Sequence, residues 1–113
     1  MTDCIFCRIA AGEIPADTVA VDEEFVAFRD LHPLARVHLL VVPRQHVSSL
    51  DEIEEMTPEA AGRMLRFTAA AARQAGVAQS GYRVVANNGL DAGQEIMHLH
   101  WHIIGGDPLG GMA

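Results

Sequence analysis

No lysine occurs in these 113 residues, and the eight arginines that supply the basic charge are scattered singly along the chain. Against fifteen acidic side chains they leave a formal charge of −7. A nucleic-acid partner would need a concentrated positive surface, so no nucleic acid is expected. A small anion, which a few local donors can hold, is not excluded. Long apolar runs are also missing: none exceeds four residues, and Leu39-Leu40-Val41-Val42, which reads as a buried strand, falls far short of the roughly 18–20 residues of a membrane span. Met1 to Arg8 has neither a basic n-region nor a long apolar run, so it does not read as a signal peptide. Cysteine is limited to Cys4 and Cys7, which points to a cytoplasmic protein with reduced thiols rather than a disulfide scaffold. What is present is a half-hydrophobic composition, enough to bury a core in one domain spanning residues 1–113.

The order of elements predicts an α+β fold. Residues 4–11 suit a short N-terminal helix ended by Gly12 and Ile14-Pro15. Thr18–Val21 and Phe25–Phe28 read as a hairpin around the acidic turn Asp22-Glu23-Glu24, and Val37–Val42 as a central strand closed by Pro43. The clearest helix begins at Thr57-Pro58-Glu59, a cap, a favoured first residue and a charge that complements the helix dipole. Ala61, Met64, Leu65, Thr68, Ala71, Ala72 and Ala75 then recur at helical spacing until Gly76. Tyr82–Ala86 and Met97–Ile104 complete a mainly antiparallel five-stranded sheet with the long helix packed on it.

Alternation along a strand puts His98, His100 and His102 on one face and Leu99, Trp101 and Ile103 on the other. Imidazole serves as nucleophile, acid or donor near neutrality, so three together read as an active site. A histidine-rich solvated face and a chelating His-x-His metal site are the alternatives. The glycine- and amide-rich segment Asn87 to Glu95 precedes them. Gly89 and Gly93 there permit backbone that aims N–H groups at an anion such as a phosphate ester, or simply a turn.

His98-Leu99-His100-Trp101-His102-Ile103-Ile104 resembles the His-φ-His-φ-His-φ-φ signature (φ apolar) of the histidine triad, or HIT, family. Ile5-Phe6 with Ile9, Gly12-Glu13-Ile14-Pro15, Phe28-Arg29-Asp30, Val42-Pro43-Arg44-Gln45-His46, Gly81-Tyr82-Arg83 and Gly93-Gln94-Glu95 look like its Hint branch. The resemblance implies a homodimeric hydrolase of purine nucleoside phosphoramidates. His100 would attack the α-phosphate and His102 would donate to a phosphate oxygen. Backbone of Gly93, Gln94 and Glu95 would stabilise phosphoryl charge, Asp30 with Leu31 beside it would meet the ribose, and Asn87 the phosphate or its histidine. Ile5, Phe6, Ile9 and Ile14 would line the base pocket. For Asp30 and Asn87 the alternative is a turn residue, and for the four apolar residues ordinary core. Rival functions on this scaffold are dinucleoside polyphosphate hydrolysis and nucleotide-dependent scaffolding.

Two positions depart from the family pattern: Glu95 replaces a serine found in some relatives, and Asp107 a basic residue found in many. Cys4-x-x-Cys7 has the spacing of half a tetrahedral zinc site. The resemblance to bacterial HIT proteins and their uridylyltransferase relatives implies His46 and His98 as the other two ligands of a structural zinc. Two unlinked thiols are the alternative reading. His32 and His38 are read as structural.

Overall fold

The structure, a computed structural model, describes residues 4–111. Met1 to Asp3, part of the segment read above as no signal peptide, and the last two residues of the expected domain lie outside them. Short β-prone runs separated by tight turns form one antiparallel sheet from β1 (Thr18–Val21), β2 (Phe25–Arg29), β3 (Val37–Pro43), β4 (Tyr82–Val85) and β5 (Trp101–Gly105), in the order β1-β2-β3-β5-β4. The β1–β2 turn closes because the Asp22 carboxylate accepts from the Glu24 and Phe25 N–H groups, each at 2.8 Å. With α1 (Ile5–Ala10) and α2 (Pro58–Gln74) this is the expected α+β fold. Among the described residues no helix is long and apolar enough to cross a membrane.

The two helices cover opposite faces of the sheet, and β3 is buried along its whole length between them. Leu39 and Val41 join Trp101 and Ile103 beneath Met64, Ala71 and Ala72 of α2. Leu40 and Val42 face the other way, with Val26, Phe28 and Phe6 of α1. The buried Trp101 indole donates to Thr68 Oγ1 at 2.7 Å, so the large ring enters the core with its N–H satisfied. Leu65, expected on the buried stripe of α2, is 61% exposed, because the stripe that meets the sheet runs through Met64, Thr68, Ala71 and Ala72. Thr57 caps α2 by accepting from the Ala60 N–H at 3.0 Å. Thr57→Ala should lower stability by about 1 kcal/mol, measurable as a reduced denaturant midpoint with an unchanged slope.

The last strand differs from its expected span. It starts at Trp101 rather than Met97 and runs on through Gly105, so His98 and His100 precede the ladder and only His102 lies within it. The reason is Pro43. Pairing of β3 with β5 begins at Val41↔Trp101, and two residues on Pro43 has no N–H to extend it. The Pro43 carbonyl accepts instead from the His98 ring, and the Leu99 N–H turns to the Val47 carbonyl. A 3₁₀ helix over Leu50–Glu55, absent from the sequence reading, follows that bend.

Candidate active site

Leaving the ladder lets the three histidines take different surroundings, although all stay on the α1 side of the sheet. His98 is fully buried, whereas His100 and His102 are half-buried and meet at 5.4 Å between ring centroids. His100 Nδ1–H donates to the carbonyl oxygen of His98 at 2.8 Å. In the neutral ring that bond selects the Nδ1–H tautomer, whose Nε2 carries the lone pair that a nucleophile needs.

His102 is set by a neighbour that the sequence reading treated as structural. The Leu34 N–H donates to His38 Nδ1 at 3.0 Å, so the proton of His38 sits on Nε2. That nitrogen donates to His102 Nδ1 at 2.8 Å, and Asp30 Oδ2 lies 3.5 Å from it. His102 therefore carries its own proton on Nε2. Burial lowers the pKa of His38 against the opposing charge of Asp30. Burial, then His100 and His38, push His102 down to about 4, with Asp30 again opposing. His102 is thus a neutral N–H donor at physiological pH. The signal for His38 was present: a histidine inside the apolar run from Val37 to Val42 must have a partner to be buried there.

A cavity of about 170 Å³ opens beside these rings. Of the expected nucleotide residues, Phe6, Asp30, Asn87, Gly93, Gln94, Glu95, His100 and His102 line it; Leu40 and Ile96, not foreseen, also do. Ile5, Ile9, Ile14 and Leu31 are not among its lining residues. Ile9 packs on the α1-side core, Ile5 is 44% exposed and Leu31 90% exposed. The loop after β4 is folded by Gln94. Its Oε1 accepts from the Gly89 N–H, and its amide donates to the Ser48 and Ile96 carbonyls at 2.9 and 3.0 Å. The Gly93 and Gln94 N–H groups are also engaged inside the loop, with Leu90 and Gly89 carbonyls. Glu95 is exposed at the rim.

On the far side of His98 a second cluster forms. His98 Nδ1 lies 3.2 Å from Cys4 Sγ, 3.4 Å from Cys7 Sγ and 3.2 Å from His46 Nδ1, and Cys7 Sγ lies 3.3 Å from His46 Nδ1. Two nitrogen ligands at the usual ~2.0 Å from a tetrahedral zinc would sit ~3.3 Å apart, so these four donors have the spacing of a closed site. His98 Nε2 donates to the Pro43 carbonyl at 2.8 Å, which turns the Nδ1 lone pair toward the other three ligands. Burial lowers the His98 pKa, with the Pro43 carbonyl opposing and His46 and His100 adding to the shift, so the ring is held in its neutral form. The four residues can therefore hold a metal ion. The three triad histidines do not converge on one ion, because both ring nitrogens of His98 are engaged elsewhere, Nδ1 with Cys4, Cys7 and His46 and Nε2 at the Pro43 carbonyl.

These features place the chain in the HIT family, whose domain model matches residues 11–109. It is 39% identical to the purine nucleoside phosphoramidase of Escherichia coli K12 over 110 residues, covering 97% of this chain and 92% of that protein. Its fold superimposes with a TM-score of 0.93 on a histidine triad protein from Clostridium difficile, at 42% identity and covering 100% of this chain and 98% of that one. A zinc-bound histidine triad family protein from Mycobacterium smegmatis is similar at a TM-score of 0.77 and 32% identity, covering 96% and 80% of the two chains.

Proposed function

We propose that this chain is a hydrolase that opens the P–N bond of purine nucleoside 5′-phosphoramidates by way of a nucleotidyl-His100 intermediate. The observation that carries the reading is the His100 Nδ1–H bond to the His98 carbonyl, which presents an unprotonated Nε2 beside the cavity. The named E. coli relative supports the substrate class. His100 Nε2 attacks phosphorus, the P–N bond breaks, and its electron pair leaves with the amine, which takes up one proton from solvent. Water then attacks phosphorus and displaces His100, releasing a nucleoside monophosphate and returning that proton. His102 Nε2–H donates to a phosphoryl oxygen throughout, and His38 keeps that proton on the cavity side. Asp30 accepts from the ribose hydroxyls, Phe6 and Ile96 give the base an apolar wall, and Asn87 with the Glu95 N–H meets the phosphate.

The same reading gives Cys4, Cys7, His46 and His98 a structural zinc, which supplies no open coordination position and takes no part in the reaction. Two thiols held as ligands suit the reducing cytoplasm. The resemblance also carries a homodimer, and the exposed edge of β4, with Val84 outward, is a surface on which a second copy would add.

Rapid acid-free quenching during turnover of an adenosine phosphoramidate, followed by intact-mass and peptide analysis, tests the mechanism. An adenylyl adduct on His100 is expected. Turnover with no adduct in single-turnover samples, taken through the whole time course, would count against it.

A further inference from the structure

His98 does two jobs with two parts of one residue. Its Nδ1 belongs to the Cys4, Cys7 and His46 cluster, while its carbonyl oxygen accepts the proton that fixes the tautomer of His100. No strand ladder holds this residue in place, because β5 begins only at Trp101. Its position rests on its own ring, through the cluster and the Pro43 carbonyl, and on the Leu99 N–H bond to the Val47 carbonyl, which holds the same peptide unit. A second link runs in parallel. Cys4 and Cys7 bracket Phe6, whose ring meets His100 edge-on at 5.0 Å and His98 at 6.0 Å. At six residues α1 is too short to persist alone, so its placement depends on what its side chains bind: Phe6, Ile9 and Ala10 in the core, and the flanking cysteines in the cluster.

We propose that metal occupancy of the four-residue cluster and nucleotide binding at His100 are energetically coupled, with His98 as the positioning residue. An ion on Nδ1 fixes the His98 carbonyl and clamps α1. The first holds His100 in its Nδ1–H tautomer and the second presses Phe6 against the cavity. Coupling between sites is reciprocal, so the nucleotide must tighten the metal by the factor with which the metal tightens the nucleotide. A factor of about tenfold lies within the usual range. The nucleotide half of this statement rests on the proposed function; the His100 half does not.

The test uses zinc and AMP with the full chain. Calorimetric titration of AMP into zinc-loaded and zinc-stripped protein should give dissociation constants about tenfold apart. Competition for zinc with a chelator, with and without saturating AMP, should give the same factor, and it needs only the zinc-loaded protein should the stripped form not fold. Nitrogen-15 spectra of the histidines should show His100 in the single Nδ1–H tautomer with zinc. Either stripping the zinc or the variant Cys7→Ser should give an averaged signal. AMP that binds equally well in both states, or leaves zinc affinity unchanged, overturns the coupling while nucleotide binding stands. If AMP binds neither form, the nucleotide reading fails, and the His100 spectra alone decide the coupling: a tautomer indifferent to zinc overturns it.

Discussion

Replacing His100 with alanine is expected to lower the turnover of an adenosine 5′-phosphoramidate by at least ~10⁴-fold while AMP affinity changes only a few-fold. The two effects separate because the ring does two different things. Among the described residues its Nε2 is the one imidazole nitrogen of the cavity whose lone pair is set by a fixed tautomer, since His102 presents N–H instead. Loss of the covalent route leaves only direct attack by water. Binding survives because the loop after β4, Asp30 and His102 still line the cavity. The fold should survive too: His100 lies outside the β5 ladder and is only half-buried, so its truncation removes contact with Phe6 but no sheet hydrogen bond. His102→Ala should cost less, about 10²- to 10³-fold, as expected for one lost charge-stabilising donor. Steady-state and single-turnover rates, read beside thermal melts of each variant, check the ranking. Activity of His100→Ala within tenfold of the parent would remove the covalent step.

The order of strands and helices was legible because each element carries a local cause. Thr57-Pro58 starts α2, Asp22 closes the first turn, and the apolar run of β3 marks a strand buried on both faces. The start of β5 was not legible, since the pattern from Met97 to Ile104 alternates without a break. Only the partner strand, through Pro43, decides where pairing stops, and no window on one segment contains that fact. The separate fates of His98 and His100 follow from this boundary. The contact that His38 makes was not legible for a related reason. Its partner, His102, lies 64 residues away in sequence, and only the β3–β5 register brings the rings together. The residues lining the cavity from the loop after β4 were readable from composition. Those assigned to the base were less so, because apolar side chains in and after α1 divide between core and surface according to packing.

Acid should weaken this fold well before its carboxylates protonate, which is the second large effect expected. His38, His98 and His102 all have pKa values lowered by burial, and His102 falls to about 4. Unfolded, each would return to about 6.5. Between those limits the unfolded chain binds more protons than the folded one, so stability rises with pH there and is lost as pH falls. It is fully present above about 6.5. For His102 alone the loss between pH 6.5 and 4 is on the order of 3 kcal/mol, a large part of the stability of a small domain. His38 adds in the same direction, as does His98 in metal-free protein. Urea melts at pH 7.5, 6, 5 and 4.5 should show a midpoint that falls steadily, steepest below pH 6. His102→Asn, which removes the titrating ring, should flatten the profile even if it is less stable at pH 7.5. A profile as steep as the parent's would assign the acid sensitivity to other groups and deny His102 its lowered pKa. The neutral donor on which the proposed phosphate contact depends is the same group, so stability against pH reports the protonation state that the proposed chemistry requires.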